Sequence, residues 1–454
     1  MNVPTILSGP RVGTLLCLIA LIPAVTCHAQ TDNWPQWRGP LGTGVAPHAQ
    51  PPITWSEEEH VRWKISIPGR GHSTPAVWND HVFLTTAVPT GEAFDPIYSQ
   101  APGAHDNAPV THRQKFLVLA LSRLDGTVIW QRQVRQAIPH EGGHFTSTFA
   151  SPSPATDGRF VIACFGSQGL YCLDTDGNVV WEKQLGQMDT KHGHGEGTSP
   201  VLFGESVIVN WDHEGDSFMV VLDKRTGQER WRKSRREVTS WATPIVVAHD
   251  DRQLIIVCGT DRVRAYDLKT GEVIWECGGL SHNIVASPVA ANGIVFVGSS
   301  YEKRAMLAIR LAGAKGDITD SDQVVWQRNR ATPYVPSPLL YQGTLYFLRH
   351  YQGILTRVTA ETGEELPGPI RLGQIRDVYA SPVAADGRIY ISDLDGQTLV
   401  MSSDPIPRLL AMNRLDDSFS ASAAIVGSDL FLRGRRSLYC LANTDKSDDT
   451  KSSP

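Results

Sequence analysis

The chain has 454 residues, 41% of them hydrophobic, with 47 acidic against 42 basic side chains and a formal charge of −5. That is the composition of a large globular protein with room for a sizeable core. The acidic balance and the lack of any basic run exclude a nucleic-acid partner, and 40 glycines with few helix-period apolar stripes favour strands and tight turns.

The first thirty residues stand apart. They carry one charge, Arg11, then the apolar run VGTLLCLIALIPAV (12–25) and TCHAQ, with a small-residue cut between Ala29 and Gln30. This reads as a secretory signal peptide, residues 1–29. The run is shorter than the roughly 20 residues needed to span a bilayer, which argues against a retained anchor. Ala24-Val25-Thr26 before Cys27 is a poor lipobox. The expectation is an exported protein of the periplasm or cell envelope, with no membrane span in the mature chain. Five cysteines remain after cleavage: Cys164, Cys172, Cys258, Cys277 and Cys440. Several lie in apolar strand patterns and read as small hydrophobes rather than as a disulfide framework.

An entry segment (30–60) precedes VRWKISI (61–67), and from there the chain repeats itself. One phrase is Ser or Thr, then Pro, apolar residues, a turn and an alternating strand: STPAVWNDHVFL (73–84), SPVLFGESVIV (199–209), SPVAADGRIYI (381–391). Its prolines are Pro75, Pro154, Pro200, Pro244, Pro288, Pro338 and Pro382, with Ala423 in an eighth, weaker copy. The second phrase ends on tryptophan: LDGTVIW (124–130), DTDGNVVW (174–181), DKRTGQERW (223–231), DLKTGEVIW (267–275). In it, Asp hydrogen-bonds amides ahead of it and Gly supplies the positive φ that closes a hairpin. Each unit of about 44 residues reads as four strands, the signature of a propeller blade.

The predicted fold is therefore all-β, an eight-bladed propeller of four-stranded antiparallel blades over residues 61–442. The last copy ends at SLYCLA (437–442) without a fourth strand, and VRWKISI supplies it, so that the chain ends share one blade and leave no open edge. Trp63, Trp130, Trp181, Trp231, Trp275 and Trp326 are expected to pack between blades. The tail 443–454 is polar and reads as disordered.

These phrases resemble the quinoprotein-type repeat, D-x-x-T-G-x-x-x-W, of PQQ-like β-propellers, over roughly residues 55–442. WPQWRGPLGTG (34–44) is similar to the entry segment of exported bacterial members. The resemblance implies a family that includes quinoprotein alcohol dehydrogenases and the outer-membrane assembly-factor propeller. Such dehydrogenases hold PQQ with an adjacent Cys-Cys pair and a calcium or lanthanide ion. This sequence has no adjacent cysteines and no recognisable acidic cofactor segment. Fold alone does not carry function, and the expectation is a protein without PQQ.

Candidate site residues lie on the loops that open on one propeller face. Ligand-binding candidates are Arg70, His72, His140, His144, Trp211, Trp241, His282, Tyr334, Arg376, Asp377 and Tyr379. HEGGH (140–144) matches a zinc-protease pattern, but Pro139 and two glycines place it on a loop, whereas that chemistry needs a helix. His192, His194, Glu196, Asp212, His213 and Glu214 come from adjacent loops of one blade and are candidate ligands of a divalent metal. The insertion at 87–115 reads as a loop on the same face, offering His105, Asp106 and His112, or as a surface excursion. Two classes stay open. One is a binding or scaffold protein acting on an unknown protein or polymer of the cell envelope through the loop face. The other is an oxidoreductase or metal-dependent enzyme at the His/Asp/Glu cluster.

Overall fold

The computed structural model describes residues 33–443, apart from the isolated Met1. The signal-peptide call and nearly all of the tail lie outside the described residues. The described chain is a ring of eight blades of four antiparallel strands, one of which gains a fifth, parallel strand. Blade 1 runs from Ala76–Trp78 through His81–Thr90 and Arg113–Ser122 to Val128–Ala137. Blade 8 is Ala424–Val426, Asp429–Arg433 and Ser437–Leu441, completed by Val61–Ser66 on its outer edge. Trp63 pairs with Cys440 there, so the N-terminal strand closes the ring.

The Ser/Thr-Pro phrase holds the ring together at its axis. Its hydroxyl residue sits at the head of each innermost strand, and in blades 2 to 8 it accepts a hydrogen bond from the backbone of the preceding blade. Thr74 N–H donates to Ser153 Oγ (2.9 Å), and Ser153 N–H to Ser199 Oγ (2.9 Å). The series continues through Thr243, Ser287, Ser337 and Ser381 to Ser422, each bond 2.9–3.1 Å. Thr74 Oγ1 then donates to the Ser422 carbonyl at 3.0 Å, closing the circle. Buried amides need such partners, and proline at the next position removes an N–H that would have none.

The tryptophan phrase joins blades at their outer edges. Trp63, Trp130, Trp181, Trp231 and Trp326 each donate Nε1–H to a carbonyl in the turn of the next blade, at 2.7–2.9 Å. The glycine of that turn lies flat beneath the indole: a Cβ on Gly227, whose φ is +68°, would come within 2.7 Å of the Trp181 ring. Asp223 Oδ1 accepts from the amides of Arg225 and Thr226, which shapes the turn. Trp275 is the exception. The connection that follows in blade 5 lacks the motif, and Gly316–Asp317 instead adds a parallel strand beside Trp275. Trp275 is fully buried and its Nε1 has no hydrogen-bond acceptor among the described residues.

The entry segment crosses the face opposite the loops and plugs the axis. Trp34 forms a bridge with Val77 of blade 1, and Val45 with Ala384 of blade 7. Between them Arg38 is buried, its guanidinium donating to the carbonyls of Thr43, Pro338 and Pro382 at 2.6–2.7 Å. Burial without a carboxylate lowers its pKa to about 9. The axial channel is therefore blind at this end.

Blade 1 is the irregular member. Its middle strands pair over ten residues each, from His81↔Ser122 to Thr90↔Arg113, so the insertion is their connecting loop, 91–112. The loop is docked. Asn107–Ala108 forms a short antiparallel ladder with Gly143–His144, and Ile97 bridges Val110. The five cysteines are buried in or beside strands and all are free.

Candidate functional site

The loops of all eight blades meet at one mouth. Within it lies an axial cavity of about 260 Å³ whose wall includes the Ser/Thr circle and whose lining includes Trp37 of the entry segment. His72, His144, His194, Trp241, Tyr334 and Tyr379 line it. One sector is aromatic. Tyr351 stacks on Tyr379 (centroids 4.9 Å apart, planes 13°), Tyr334 on His350 (4.8 Å), and Tyr301 on Tyr334 (6.0 Å). His72 sits near Arg70, Arg433 and Arg435, and burial first, then these cations, depress its pKa to about 3. Arg433 is buried and donates to the Thr85 carbonyl at 2.7 Å and to Ser73.

Among the described residues, Glu196 is the only carboxylate that lines the axial cavity. Its Oε1 accepts from Ser167 Oγ at 2.5 Å and its Oε2 from Ser167 N–H at 2.6 Å. Burial pushes this carboxyl up to about 7, against the pull of those bonds. A second cavity of about 270 Å³ lies beneath the insertion, lined by Arg70, His140, His144 and Glu196 together with Pro89, Pro109 and Phe165.

The six metal candidates are divided by the fold. Asp212 is fully buried and held in a two-pronged pair with Arg235 (2.7 and 3.0 Å), and also accepts from Ser240 Oγ at 2.8 Å. Glu214 Oε1 accepts from the Thr239 hydroxyl at 2.7 Å. His213 Nδ1 accepts from the amides of Asp189 and Gly215 at 3.2 Å each. These three brace the loop between the middle strands of blade 3, and Glu196 is tied to Ser167 of blade 2. His192 and His194 turn instead toward His105 of the insertion. Among the described residues no three His, Cys, Asp or Glu side chains stand ready as a metal site.

Of the ligand candidates, Trp211 is placed away from the mouth: it is buried and stacked on Phe218 (5.9 Å, 17°) in the core. His140 Nε2 lies 2.9 Å from the Met188 carbonyl. His282 stands on the rim, 3.7 Å from Glu302. Arg376 and Asp377 are exposed rim residues. Sequence reasoning missed Tyr301, His350 and Tyr351, which sit on the connections between the middle strands of blades 5 and 6. Their signal was present in SSYEK (299–303) and RHYQG (349–353).

A family model described as outer membrane protein assembly factor BamB matches residues 53–192, 114–367 and 216–447. Two curated relatives carry the same name. The protein of Shigella dysenteriae is 26% identical over 153 residues, which is 33% of this chain and 37% of that one. The Escherichia coli protein is 26% identical over 132 residues, 28% of this chain and 31% of that one. The matched stretch thus spans about a third of each relative. Among solved structures, a quinohemoprotein alcohol dehydrogenase from Comamonas testosteroni superposes with a TM-score of 0.61 at 10% identity, covering 94% of this chain and 82% of its own. A europium-containing methanol dehydrogenase gives 0.60 at 9%, covering 90% and 98%. At such identities the likeness is one of fold. Among the described residues no helix is long and apolar enough to cross a membrane.

Proposed function

The chain belongs to the PQQ-like repeat β-propeller family whose model is described as outer membrane protein assembly factor BamB, and from that premise we propose that it is a binding or scaffold protein of the cell envelope. It engages a protein or polymer partner through the loop mouth and does so without PQQ. The observation that carries this reading is the build of the mouth. A rigid ring presents a stacked aromatic wall beside a hydroxyl-lined, blind cavity, while the neighbouring carboxylates are spent on structural bonds. Aromatic side chains give large contact area at low entropic cost, which suits recognition. The residues present do not fit a quinone held over a metal ion. No two cysteines are adjacent in sequence, all five described ones are buried, and Glu196 is already occupied by Ser167.

One observation favours an enzymatic second reading: Glu196, at the cavity wall, has its carboxyl pushed up to about 7, the range of a general acid or base. The test is site-specific photo-crosslinking in cells from Tyr301 and Trp241 at the mouth, beside Glu205 on the opposite face. A discrete adduct from the mouth alone, lost in Tyr351→Ala, supports the binding reading. Equal labelling from both faces, or PQQ-dependent dye reduction by the purified protein, overturns it.

A further inference from the structure

The docked insertion does something at the mouth that its sequence does not announce. It carries His105 between the loops of blades 1, 2 and 3. The His105 ring centre lies 4.9 Å from that of His192 and 4.9 Å from that of His194, and His192 and His194 are 5.4 Å apart. His144 stands 5.0 Å from His194. Four imidazoles from three chain segments thus share one spot on the rim.

Their hydrogen bonds set which nitrogen is free. His105 Nδ1 lies 2.8 Å from the Gly103 carbonyl, and His192 Nδ1 lies 3.3 Å from the Pro102 carbonyl. A carbonyl only accepts, so Nδ1 carries the proton in both rings and Nε2 keeps its lone pair. This is the arrangement of a metal-bound imidazole steadied by a backbone partner. His144 is the other tautomer: its Nδ1 accepts from the Thr146 amide at 3.3 Å and lies 2.6 Å from Thr146 Oγ1, so its proton sits on Nε2 and it stands beside the site rather than as a free donor. His194 Nε2 is buried and has no hydrogen-bond partner among the described residues, a costly condition for a polar atom unless something else fills it.

The spacing agrees with this. An ion bound at about 2.0–2.1 Å by imidazole nitrogen holds each ring centre about 3.2 Å away, and tetrahedral directions then separate the centres by about 5 Å. The three measured separations bracket that value. The donors are not preset round a common point, so binding turns the rings, which the exposure of His105 at the rim permits. We propose that His105, His192 and His194 bind one divalent transition-metal ion of the zinc class and that this ion latches the insertion onto the mouth. An all-imidazole set suits zinc, copper or nickel rather than calcium or magnesium. The latch reinforces contacts already present: Asn107 Nδ2 donates to the His192 carbonyl at 2.8 Å, and Ser99 Oγ to Glu141 at 2.8 Å. The site is separate from the carboxylates of blade 3, and it stands or falls independently of the partner proposed above.

The test uses the untagged full chain, stripped with chelator and dialysed against zinc chloride, and separately against cobalt chloride. One zinc per chain by elemental analysis, with a visible cobalt spectrum of tetrahedral nitrogen ligation, is the expected result. His105→Ala, an exposed position at which folding is preserved, weakens zinc at least about 100-fold, the upper range for losing even an outer-shell partner. His194→Ala does the same, and His282→Ala leaves binding intact. Less than a tenth of an equivalent of zinc at about 10 μM free metal, well above the range of an ordered zinc site, overturns the proposal. So does full binding in the His105→Ala, His194→Ala double variant.

Discussion

Thr74 and Ser422 are 348 residues apart in sequence, yet Thr74 Oγ1 donates to the Ser422 carbonyl at 3.0 Å. That bond joins the first blade to the last and completes a circle whose other seven links each run from one blade's amide to the next blade's hydroxyl. The propeller is thus closed twice. The axis is closed by hydroxyls, and the rim of blade 8 is closed by the strand Val61–Ser66.

The axial circle predicts a specific sensitivity. Ser287→Ala strips the acceptor from the buried Thr243 amide. A buried donor left without a partner costs about 1–3 kcal/mol. Equilibrium denaturation shows that loss for Ser287→Ala, and Ser287→Thr, which keeps the hydroxyl, recovers most of it.

The tryptophans are not equivalent. Trp181 Nε1 donates to the Lys224 carbonyl at 2.8 Å, whereas Trp275 Nε1 has no acceptor among the described residues. Replacement by Phe removes a hydrogen bond only at Trp181. Thermal melts place Trp181→Phe below Trp275→Phe by about 1 kcal/mol, the net value of one such bond. Equal losses at the two sites contradict this account.

Asp212 is a structural acid. Its partner Arg235 is fully buried, and removing one member of such a pair leaves an uncompensated charge. Asp212→Ala therefore destabilises the protein by about 3–5 kcal/mol in denaturant titrations. The folded fraction of that variant binds zinc as the parent does, because Asp212 faces Arg235 and not the imidazole cluster.

Acid opens the rim. Burial, then the neighbouring His144, His105 and His192, depress His194 to about 4 from an ordinary 6.5. The fold accepts the neutral ring, so its contribution is complete above about 6.5 and is lost as pH falls toward 4. His144 is also depressed, by burial first, with Asp106 opposing. Hydrogen exchange of amides 97–112, corrected for intrinsic rate, accelerates between pH 7 and pH 5. His194→Gln, which cannot take up the proton, shows a smaller change.

The architecture was legible because a propeller is written in local chemistry. Alternating apolar residues, the Asp and Gly of one turn and a tryptophan at fixed spacing specify each blade within about 44 residues. The missing fourth strand at 437–442 and the spare one at 61–67 disclosed the closure. The sites were legible only as a list of polar loop residues. Which of them meet depends on how eight separated loops converge and on the pairing partners that the ring brings. Asp212 has the residue type of a metal ligand, but Arg235, 23 residues on, takes both its oxygens. Trp211 read as a mouth residue, yet it ends a strand whose alternation turns it inward onto Phe218. The sequence determined the blades, their order and their closure by itself, because turn chemistry and strand periodicity act over a few residues. Only the tertiary structure decided that Arg38 plugs the axis, that Tyr351 joins Tyr379, and that His105 meets His192 and His194, because those contacts link segments tens to hundreds of residues apart.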